Sequence, residues 1–460
     1  MVGKNICIIG AGIGGLTAGA LLSKQGFNVK IFEKESVVGG RALTLDMSSL
    51  DLENYKKLLS RFNMHIAFSE PSLETIFEKK LLEGYNLDLG FHVFGGGIAD
   101  NLEKITSKKN IEMIQSRLFV SENGNPRYFV TAYDKIKMIP NLLRLFLSGE
   151  KTMNELDSVS LTETIKKYGK GKMKNVLELN PRLITTVNNL DKISTGEVFR
   201  TQREMKLRGV RYPRKGIAFV CETLADFIKE NNGEIYLNTT VKRVNIKDKK
   251  VVSINAGKKE YFCDFVVSNI LVQDLFSIVD EAVFPKDYVN HLKSLKGTGS
   301  FCAYYSLVNI DPELIGKNFV FIERNVEFEG NDVAGMIDFM ATSPDTGLAP
   351  PGKYLIQSYV ICNPEEAKNK KKLEKLRLIL DKNLEKIIPD FQSKLRWVIY
   401  PSIWHLDGVA KTIENEKPDV KTPIENLFLV GDCVKAPGVG LNCAVASAHK
   451  LMGIFDGLNI

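Results

Sequence analysis

The segment that most constrains this chain is the glycine-rich turn that follows its first apolar run. The turn lies in the sequence Ile8-Ile9-Gly10-Ala11-Gly12-Ile13-Gly14-Gly15. The apolar run Asn5–Ile9 predicts a buried parallel strand, and a helix whose free N–H groups face an anion is expected from Ile13. Gly10 permits a tight turn, Gly12 lets a pyrophosphate approach the backbone, and Gly15 lets the helix pack against the strand. The turn therefore predicts dinucleotide binding.

The end of the next apolar run supports this prediction. Phe27 to Phe32 predicts a second strand, and Glu33 follows it directly. The carboxylate of Glu33 can accept hydrogen bonds from both hydroxyl groups of an adenosine ribose. A 2′-phosphate on that ribose would be repelled by Glu33, so NADP is disfavoured at this site.

Length and composition are those of an ordinary globular protein. The chain has 460 residues, of which 44% are hydrophobic and 25% charged, and this length predicts two or three domains. No uncharged apolar run of about 18 residues occurs, so a membrane-spanning helix is not expected. The glycines near the N-terminus argue against a secretion signal. The seven cysteines and five histidines lack metal-ligand spacing, so we expect no metal site and a reduced, cytoplasmic location.

Basic residues are concentrated between Arg200 and Gly216. They are Arg200, Arg203, Lys206, Arg208, Arg211, Arg214 and Lys215, against Glu204 alone. One interpretation is a solvated surface, and the other is attraction to an anionic membrane or an anionic substrate. Nucleic acid is not expected as a partner, because no nucleic-acid-binding motif accompanies the charge.

Two kinds of sequence alternate along the chain. Patterns typical of nucleotide binding occupy residues 1–97, 211–284 and 406–460. The insertion 98–210 is predicted to be mostly helical, and the insertion 285–405 mixes β-rich stretches with one helix. We therefore expect an α/β chain in which a cofactor domain has three parts and a substrate domain has two.

A second strand-to-helix turn lies near the C-terminus. Residues 426–432 predict an apolar strand that ends in Gly-Asp, and Gly438-Val439-Gly440 precedes a small-residue helix from Leu441. In a flavoenzyme, Asp432 could bind a ribitol hydroxyl group. The positive end of the helix would then lie under the N1–C2=O edge of the flavin and favour its reduced form. Together with the first turn, this motif favours FAD.

On these motifs the chain resembles the phytoene desaturase and carotenoid isomerase group of the flavin amine oxidase superfamily. The matching segments are Gly10 to Gly15 with Glu33, Val38-Gly39-Gly40-Arg41, Tyr212-Pro213-Arg214-Lys215-Gly216, Val241, Asp264-Phe265-Val266-Val267-Ser268-Asn269 and Leu429-Val430-Gly431-Asp432. The resemblance implies tightly bound FAD in a Rossmann-type domain of the glutathione-reductase-2 class. It also implies a discontinuous, mixed α+β substrate domain.

The same resemblance implies roles for single residues. Gly40 and Arg41 would lie beside the pyrophosphate, and Val241 would contact the adenine. Asp432 would hold the ribitol, and the loop 88–92 would lie near the isoalloxazine ring. The full set of implied cofactor-binding residues is Gly10, Gly12, Ile13, Gly14, Gly15, Glu33, Gly40, Arg41, Val241, Asp432, Gly440 and Leu441.

Two segments depart from the pattern of the superfamily. Amine oxidases often place a lysine beside flavin N5, but the corresponding segment, residues 299–305, contains none. The last turn reads Leu441-Asn442-Cys443-Ala444, where desaturases and oxidases commonly carry a Glu-Gly-Ala type sequence. Both departures argue against amine oxidation. The second also argues against standard carotenoid desaturation, because this turn faces the flavin.

The chemistry expected of such a site is hydride transfer from a C–H bond to flavin N5, with loss of a proton from the adjacent carbon, or the reverse. A long apolar substrate requires a tunnel that positions it. Aromatic candidates for the tunnel wall are Phe301, Tyr304, Tyr305, Trp397, Tyr400 and Trp404, each of which could instead be a core residue. His92 and His405 are candidate proton acceptors. We select His92 as the catalytic candidate, and a structural hydrogen-bonding role is its alternative.

Residues 135–147 combine a basic edge with a dense apolar sequence. One interpretation is a helix that dips into an anionic membrane surface and admits a lipid-like substrate, which would make the protein peripherally membrane-associated. The other interpretation is an ordinary buried helix started by Pro140.

These observations favour an FAD-dependent oxidoreductase that acts on C–C or C=C bonds of a hydrophobic, isoprenoid or carotenoid-like substrate. One alternative is an amine or porphyrinogen oxidase, and another is a saturase or isomerase that uses reduced FAD. An alternative of a different class is a non-catalytic escort protein that binds prenyl lipids. The electron acceptor stays open among a quinone, O2 and NAD(P).

Overall fold

The structure, a computed structural model, describes residues 3–106, 111–122, 125–205, 208–326 and 328–457. The strands in chain order are β1 (Asn5–Ile9), β2 (Asn28–Phe32), β3 (Thr44–Asp46), β4 (Met64–Glu70), β5 (Asn86–Asp88), β6 (Phe94–Gly95), β7 (Met113–Ser116), β8 (Leu118–Glu122), β9 (Asn125–Tyr128), β10 (Val210–Pro213), β11 (Glu234–Tyr236), β12 (Val241–Lys247), β13 (Lys250–Ala256), β14 (Lys259–Phe262), β15 (Phe265–Ser268), β16 (Gly299–Leu307), β17 (Asn318–Arg324), β18 (Asp332–Asp338), β19 (Tyr354–Cys362), β20 (Leu395–Ile403) and β21 (Leu427–Leu429). The α-helices in chain order are α1 (Ile13–Lys24), α2 (Leu52–Arg61), α3 (Leu73–Glu78), α4 (Gly96–Ile105), α5 (Ala132–Leu147), α6 (Glu150–Glu155), α7 (Leu161–Tyr168), α8 (Lys172–Thr185), α9 (Thr195–Met205), α10 (Ile217–Glu230), α11 (Lys286–Ser294), α12 (Lys370–Glu385), α13 (Phe391–Lys394) and α14 (Leu441–Gly457).

A parallel five-stranded sheet in the order β11-β2-β1-β15-β21 carries the two glycine turns. Each neighbouring pair of its strands is parallel. β1 and β15 are apolar and almost entirely buried, as expected of strands that are covered on both faces. α1 packs against α10 and α14 beside this sheet. The sheet collects strands from the start, middle and end of the chain, and it confirms the predicted α/β Rossmann architecture.

A mixed eight-stranded sheet in the order β4-β20-β16-β19-β18-β17-β8-β9 forms the second large unit. Its neighbouring pairs are antiparallel, apart from β17 with β8, which are parallel. All nine residues of β16 are buried, because this strand lies in the middle of a sheet that is covered on both faces. One face packs against α12, and the other is contacted by α8.

Three smaller sheets complete the fold. β12, β13 and β14 form an antiparallel meander, and β3 pairs with β5. The third sheet has the order β6-β10-β7, and it joins the segment before α4 to the segment before α10.

The insertion 98–210 is less helical than the sequence predicts. It contains α4 to α9, but it also contributes β7, β8 and β9. β8 pairs with β17, and β9 extends the edge of the large sheet. These strands are only four or five residues long, and β8 meets a partner about 200 residues further along the chain. Tertiary pairing therefore decides their conformation, and local pattern does not.

Helix α5 corrects one of the two interpretations of residues 135–147. Pro140 lies inside the helix and not at its start. The side chains of Tyr133, Ile136, Ile139, Leu143 and Leu147 are between 46% and 83% exposed, so the interpretation as an ordinary buried helix started by Pro140 is wrong. Within the described ranges, none of the helices combines the length and apolar character needed to cross a bilayer.

Candidate active site

One large cavity runs from the carboxyl ends of β1, β2, β15 and β21 to the helices α5 to α9. Its volume is about 1110 Å³, which exceeds the roughly 300–1,000 Å³ of a pocket for one small ligand. Both glycine turns line one half, which we call the cofactor half. Side chains of the described residues 91–210 with Met336 and Tyr359 line the other half, which we call the substrate half. The cavity has room for a cofactor and a second ligand.

The first glycine turn makes a cradle into which side chains would not fit. Gly10 has a φ of +95°, which favours glycine. A Cβ on Gly12 would lie 2.8 Å from Asn269 Nδ2, and a Cβ on Gly14 would lie 2.6 Å from Asn269 Oδ1. A Cβ on Gly15 would lie 2.2 Å from the Gly10 carbonyl oxygen. Gly15 does not line the cavity, and its small size serves the packing of α1 on β1.

The acid at the end of β2 faces the same half of the cavity. Glu33 is buried, and it lines the cavity beside Thr240 and Val241. Its Oε2 accepts a hydrogen bond of 2.7 Å from the Ala11 N–H, and its Oε1 accepts one of 3.0 Å from the Glu35 N–H. These bonds fix the carboxylate beside the turn. Glu33 thus lies at the carboxyl end of β2 beside the first glycine turn, and its role toward the ribose stays a prediction.

Arg41 and Asp432 form an ion pair that the sequence did not predict. The Nη2 of Arg41 donates to Oδ2 of Asp432 at 2.5 Å, and Nη1 donates to the carbonyls of His405 at 2.9 Å and Leu406 at 3.0 Å. Burial alone would raise the pKa of Asp432, but Arg41 and Lys417 outweigh it and lower the pKa to about 2. Asp432 is therefore an anion at neutral pH. Arg41 and Gly40 both line the cofactor half.

A buried cation lies behind Asp432. The Nζ of Lys417 donates to the Asp432 backbone carbonyl and lies 3.3 Å from Asp407 Oδ2. Burial raises the pKa of Asp407 to about 6 despite Lys417, and Asp407 raises the pKa of Lys417 despite burial. The sequence around Lys417 follows no recognisable motif, so only the fold reveals that it supports Asp432.

The second glycine turn and the start of α14 also line the cofactor half, through Gly438, Val439, Gly440 and Leu441. Asn442 explains one departure from the superfamily pattern. Its Oδ1 accepts a hydrogen bond of 2.8 Å from the Gly95 N–H, and its Nδ2 donates to the Val93 carbonyl at 3.0 Å. The Sγ of Cys443 lies 3.3 Å from the carbonyls of Val434 and Ala436. Asn442 therefore joins the loop after β5 to α14, whereas Cys443 points into the protein.

The loop that follows β5 is held by a buried carboxyl group. Oδ2 of Asp88 accepts a hydrogen bond of 2.5 Å from the Tyr212 hydroxyl, and Oδ1 accepts one of 2.7 Å from Thr44. Burial raises the pKa of Asp88, although nearby His92 and these hydrogen bonds oppose the effect. The Tyr304 hydroxyl donates to the Asp88 carbonyl at 2.6 Å and accepts from the Gly90 N–H at 3.0 Å. Tyr304 thus positions the loop and does not line the cavity.

His92 lines the cavity at the junction of its two halves. Its Nε2 lies 2.9 Å from the Leu89 carbonyl and 3.2 Å from the Arg41 carbonyl. Because both neighbours can only accept, Nε2 carries the hydrogen and Nδ1 keeps its lone pair. Burial lowers the pKa of His92 below its ordinary value, and Asp88 opposes this only in part. His405 also lines the cavity, and burial lowers its pKa as well.

The aromatic residues predicted for the tunnel wall lie elsewhere. Phe301, Tyr305 and Tyr400 belong to the core on the α12 side of the large sheet, and both tyrosine hydroxyls donate to Asp381, at 2.8 and 2.6 Å. Trp397 packs edge-on against Tyr85, and Trp404 packs against His65. None of the six predicted residues, Phe301, Tyr304, Tyr305, Trp397, Tyr400 and Trp404, lines the cavity.

Other side chains form the walls of the substrate half. Phe91 and Tyr359 have ring centroids 4.5 Å apart and face the cavity together. Met153, Leu156 and Val198, on or next to α6 and α9, extend the apolar wall. The sequence did not identify these residues, because their helices come together only through tertiary packing.

The basic stretch between Arg200 and Gly216 is largely neutralised within the chain. Lys206 lies outside the described residues. The ion pairs are Arg200 with Asp157, Glu197 and Glu150, Arg203 with Glu150, Arg208 with Asp100, Arg211 with Asp100 and Glu103, and Arg214 with Glu112 and Asp345. These pairs tie α9 and β10 to α4 and α6. Most of this charge is therefore not free to attract a distant anion.

The cofactor half combines the groups that FAD requires. It presents an uncapped helix N-terminus above a glycine cradle, a buried acid beside Val241, and an ionised Asp432 at the far end. A second helix N-terminus, that of α14, faces the same space. The residues present therefore fit FAD. Within the described part of the chain, no group of three or more His, Cys, Asp or Glu side chains is arranged to hold a metal ion.

The chain is similar to curated relatives and to solved structures. A 1-hydroxycarotenoid 3,4-desaturase from a Flavobacterium species is 22% identical over 71% of this chain and 68% of its own length. A prolycopene isomerase from Daucus carota is 22% identical over 84% of this chain and 67% of its own length. The crystal structure of an oxidoreductase from Methanosarcina mazei has the same fold, with a TM-score of 0.71 and 21% identity over 98% of this chain and 100% of that chain.

Two families match the sequence directly. Residues 8–64 match the NAD(P)-binding Rossmann-like domain, and residues 196–450, more than half of the chain, match the flavin-containing amine oxidoreductases. The predictions of an FAD cofactor and of an oxidoreductase are confirmed. The chain belongs to the family of flavin-containing amine oxidoreductases.

Proposed function

We propose that this FAD-dependent oxidoreductase acts on a C–C or C=C bond of a long, hydrophobic, isoprenoid-like substrate. The observation that carries the proposal is the continuous cavity, whose cofactor half opens directly into an apolar substrate half. A small polar substrate would not require such a wall. The named relatives, a carotenoid desaturase and a carotenoid isomerase, support the same class of substrate.

The cofactor would lie across the carboxyl ends of the parallel strands. The N–H groups at the start of α1 would bind the pyrophosphate, Glu33 the adenosine ribose, and Asp432 the ribitol. The remaining contacts would be made by Gly10, Gly12, Ile13, Gly14, Gly40, Arg41, Val241, Gly440 and Leu441. Support for this arrangement comes from the charge of Asp432 and from the two helix N-termini, which stabilise negative charge.

FAD bound in this half supplies a hydride acceptor at its N5 atom. The protein positions the substrate and excludes water, because Phe91, Tyr359 and Met336 contact the apolar part of the substrate. His92 accepts the proton from the carbon next to the one that loses hydride, through the free lone pair of Nδ1. Its lowered pKa keeps the ring neutral, and hence basic, at neutral pH.

Amine oxidation is the less favoured alternative. A protonated amine requires a counter-charge, and within the described residues 91–210 no aspartate or glutamate lines the cavity. Saturation or isomerisation with reduced FAD requires the same apolar cavity walls and the same alignment of the substrate with the flavin. The proposal therefore covers desaturation, saturation and isomerisation. The electron acceptor is a quinone, O2 or NAD(P).

Helix α5 gives a hydrophobic substrate access to the cavity from a membrane surface. One stripe of the helix, with Ile136, Ile139, Leu143 and Leu147, is exposed, whereas Lys135 and Met138 line the cavity. An exposed apolar stripe beside basic residues is typical of a helix that lies in the interface of a bilayer. The protein is thus proposed to associate peripherally with membranes.

The test is reduction of the flavin without oxygen. FAD-loaded protein is mixed anaerobically with isoprenoid hydrocarbons and alcohols of increasing length, with a polyamine and with a porphyrinogen, and flavin absorption is followed. We expect long isoprenoids to bleach the flavin and to gain a double bond, and the polyamine to have no effect. Bleaching by the polyamine or the porphyrinogen alone would overturn the proposal.

A further inference from the structure

The charges that line the substrate half have one sign. Four basic side chains line it, those of Arg117, Lys135, Arg144 and Arg208, and among the described lining residues of this half there is no aspartate or glutamate. The acids that line the cavity, Glu33, Glu35, Asp274 and Asp432, belong to the cofactor half. If the substrate half bound only a hydrocarbon, it would not require an excess of basic over acidic side chains.

Among the described residues, three of these cations have no acidic partner. Within the described ranges, no carboxylate lies within ion-pair distance of Arg117, Lys135 or Arg144, and Arg208 alone is paired, with Asp100. The guanidinium of Arg117 lies over the Tyr128 ring at 5.4 Å. The nearby basic stretch shows the opposite behaviour, since Arg200, Arg203, Arg211 and Arg214 are all paired. No carboxylate of the described residues therefore competes with an anion for Arg117, Lys135 or Arg144, although all three line the cavity.

The four cations come from three separate elements or loops around the opening of the cavity. Arg117 lies between β7 and β8, Lys135 and Arg144 lie on α5, and Arg208 follows α9. A hydrogen bond of 3.1 Å from Gln115 Nε2 to the Arg208 carbonyl joins two of these elements. Lys135 is half-buried and the three arginines are exposed, whereas Met153 and Val198, deeper in the same half, are buried. Cations thus surround the opening, and apolar side chains form the interior.

We propose that the substrate is an amphipathic, isoprenoid-like lipid whose end group is a phosphate, bound by Arg117, Lys135 and Arg144 at the opening of the cavity. This inference rests on the proposed function and names the class of its substrate. A phosphate accepts charge-assisted hydrogen bonds from several cations at once, and arginine matches its oxygens two at a time. The apolar chain extends past Met153 and Val198 toward Tyr359 and the cofactor half. The anionic end fixes the depth of insertion, and hence which C–C bond reaches the cofactor half.

Binding to the FAD-loaded protein tests the inference without turnover. A C20 prenyl monophosphate and the matching prenyl alcohol are titrated below their micelle concentrations, by calorimetry and by the change in flavin absorption. We expect the phosphate to bind at least about tenfold more tightly than the alcohol. The preference should shrink with added salt, because the cations are at the surface.

Variants assign the preference to the opening of the cavity. The double variant R117Q/R144Q should lose the preference for the phosphate and keep its affinity for the alcohol. K137Q is the matched control, because Lys137 lies on the same helix over the Tyr133 ring at 4.4 Å and does not line the cavity. K137Q should bind the phosphate as the unchanged protein does.

The outcomes separate this inference from the proposed function. The inference would be wrong if the protein bound phosphate and alcohol with equal affinity, or if K137Q lost the preference for the phosphate as fully as R117Q/R144Q does. Either result would leave the proposed function standing. Binding of neither compound would overturn both. Flotation with phosphatidylcholine vesicles, with and without anionic lipid, distinguishes a second source of phosphate. If R117Q/R144Q loses only the response to anionic vesicles and keeps the preference for free prenyl phosphate, the cations serve lipid headgroups and the inference is wrong.

Discussion

The guanidinium of Arg41 lies 2.5 Å from the carboxylate of Asp432, although 391 residues separate them in the chain. Arg41 follows the glycine pair after β2, and Asp432 follows β21. The Gly408 N–H adds a hydrogen bond of 2.9 Å to the same carboxylate oxygen. The pair therefore joins the two glycine turns into one site, and its loss should affect both.

We expect Asp432→Asn to weaken FAD binding by at least about tenfold, because Arg41, which also lines the cofactor half, loses its anionic partner. The dissociation constant follows from the quenching of FAD fluorescence when FAD is titrated into protein freed of cofactor. Glu425→Gln is the control, since Glu425 forms an exposed ion pair with Lys250 just before β21. Equal affinity in D432N and in the unchanged protein would contradict the role given to Asp432.

Gly15→Ala should prevent FAD binding and destabilise the protein, because the added Cβ would lie 2.2 Å from the Gly10 carbonyl oxygen. Gly453→Ala is the matched control. Gly453 lies inside α14 with open space around it, so the same change should stabilise the protein by about 0.5–1 kcal/mol. Thermal unfolding and FAD retention measure both effects. A G15A variant that is as stable as G453A would refute the packing role of Gly15.

The sequence predicts the cofactor half well and the substrate half poorly. The reason is that the cofactor half depends on contacts between residues close in the chain, whereas the substrate half depends on contacts between distant segments. The turn from β1 to α1 and the position of Glu33 depend on local backbone geometry, so glycine spacing identifies them. Strand β16 is buried along its whole length, so its sequence does not show which face meets the cavity. Phe301 and Tyr305 consequently pack toward α12, and Tyr304 holds the loop at Asp88. Arg41 and Asp432 were each identified, but their contact depends on the whole fold.

His92→Gln should slow flavin reduction by about 100-fold and leave FAD affinity unchanged, because the amide keeps a donor for the Leu89 carbonyl but offers no base. Since burial lowers the pKa of His92 from its ordinary value, the rate in the unchanged protein should rise with pH only in the acidic range and be constant around neutral pH. Stopped-flow reduction with a long isoprenoid gives the profile. His291→Gln, at a half-buried histidine that does not line the cavity, should keep both rate and profile. If the rate of flavin reduction in H92Q depends on pH as it does in the unchanged protein, His92 is not the base.

The double variant Ile136→Asp with Leu143→Asp should lower binding to anionic vesicles by at least about tenfold, because two apolar side chains no longer enter the bilayer interface. Both residues are more than half exposed, so the fold should not change. Vesicle flotation measures binding, and Leu378→Asp on α12, with a side chain that is 68% exposed, is the control. Equal flotation of the double variant and the control would show that α5 does not contact the membrane.

Asp338 gives a prediction for stability against pH. It lies in a row with Asn318 and Gln357 across the neighbouring strands. Its Oδ1 accepts a hydrogen bond of 2.6 Å from the Met340 N–H, and within the described residues its Oδ2 has no partner. Burial, which is the largest influence on this carboxyl, raises its pKa to about 7.

Because the folded protein keeps this proton up to about pH 7 and the unfolded chain releases it near pH 4, the free energy of unfolding should fall as pH rises between these values. Above pH 7 the loss is complete, and it amounts to at most on the order of 4 kcal/mol. Asp338→Asn should remove this dependence and be more stable than the unchanged protein at pH 8. Urea unfolding at pH 5 and pH 8 measures the difference, with Asp345→Asn, at an exposed ion pair, as control. If D338N keeps the full loss of stability between these two pH values, Asp338 is not the group that titrates.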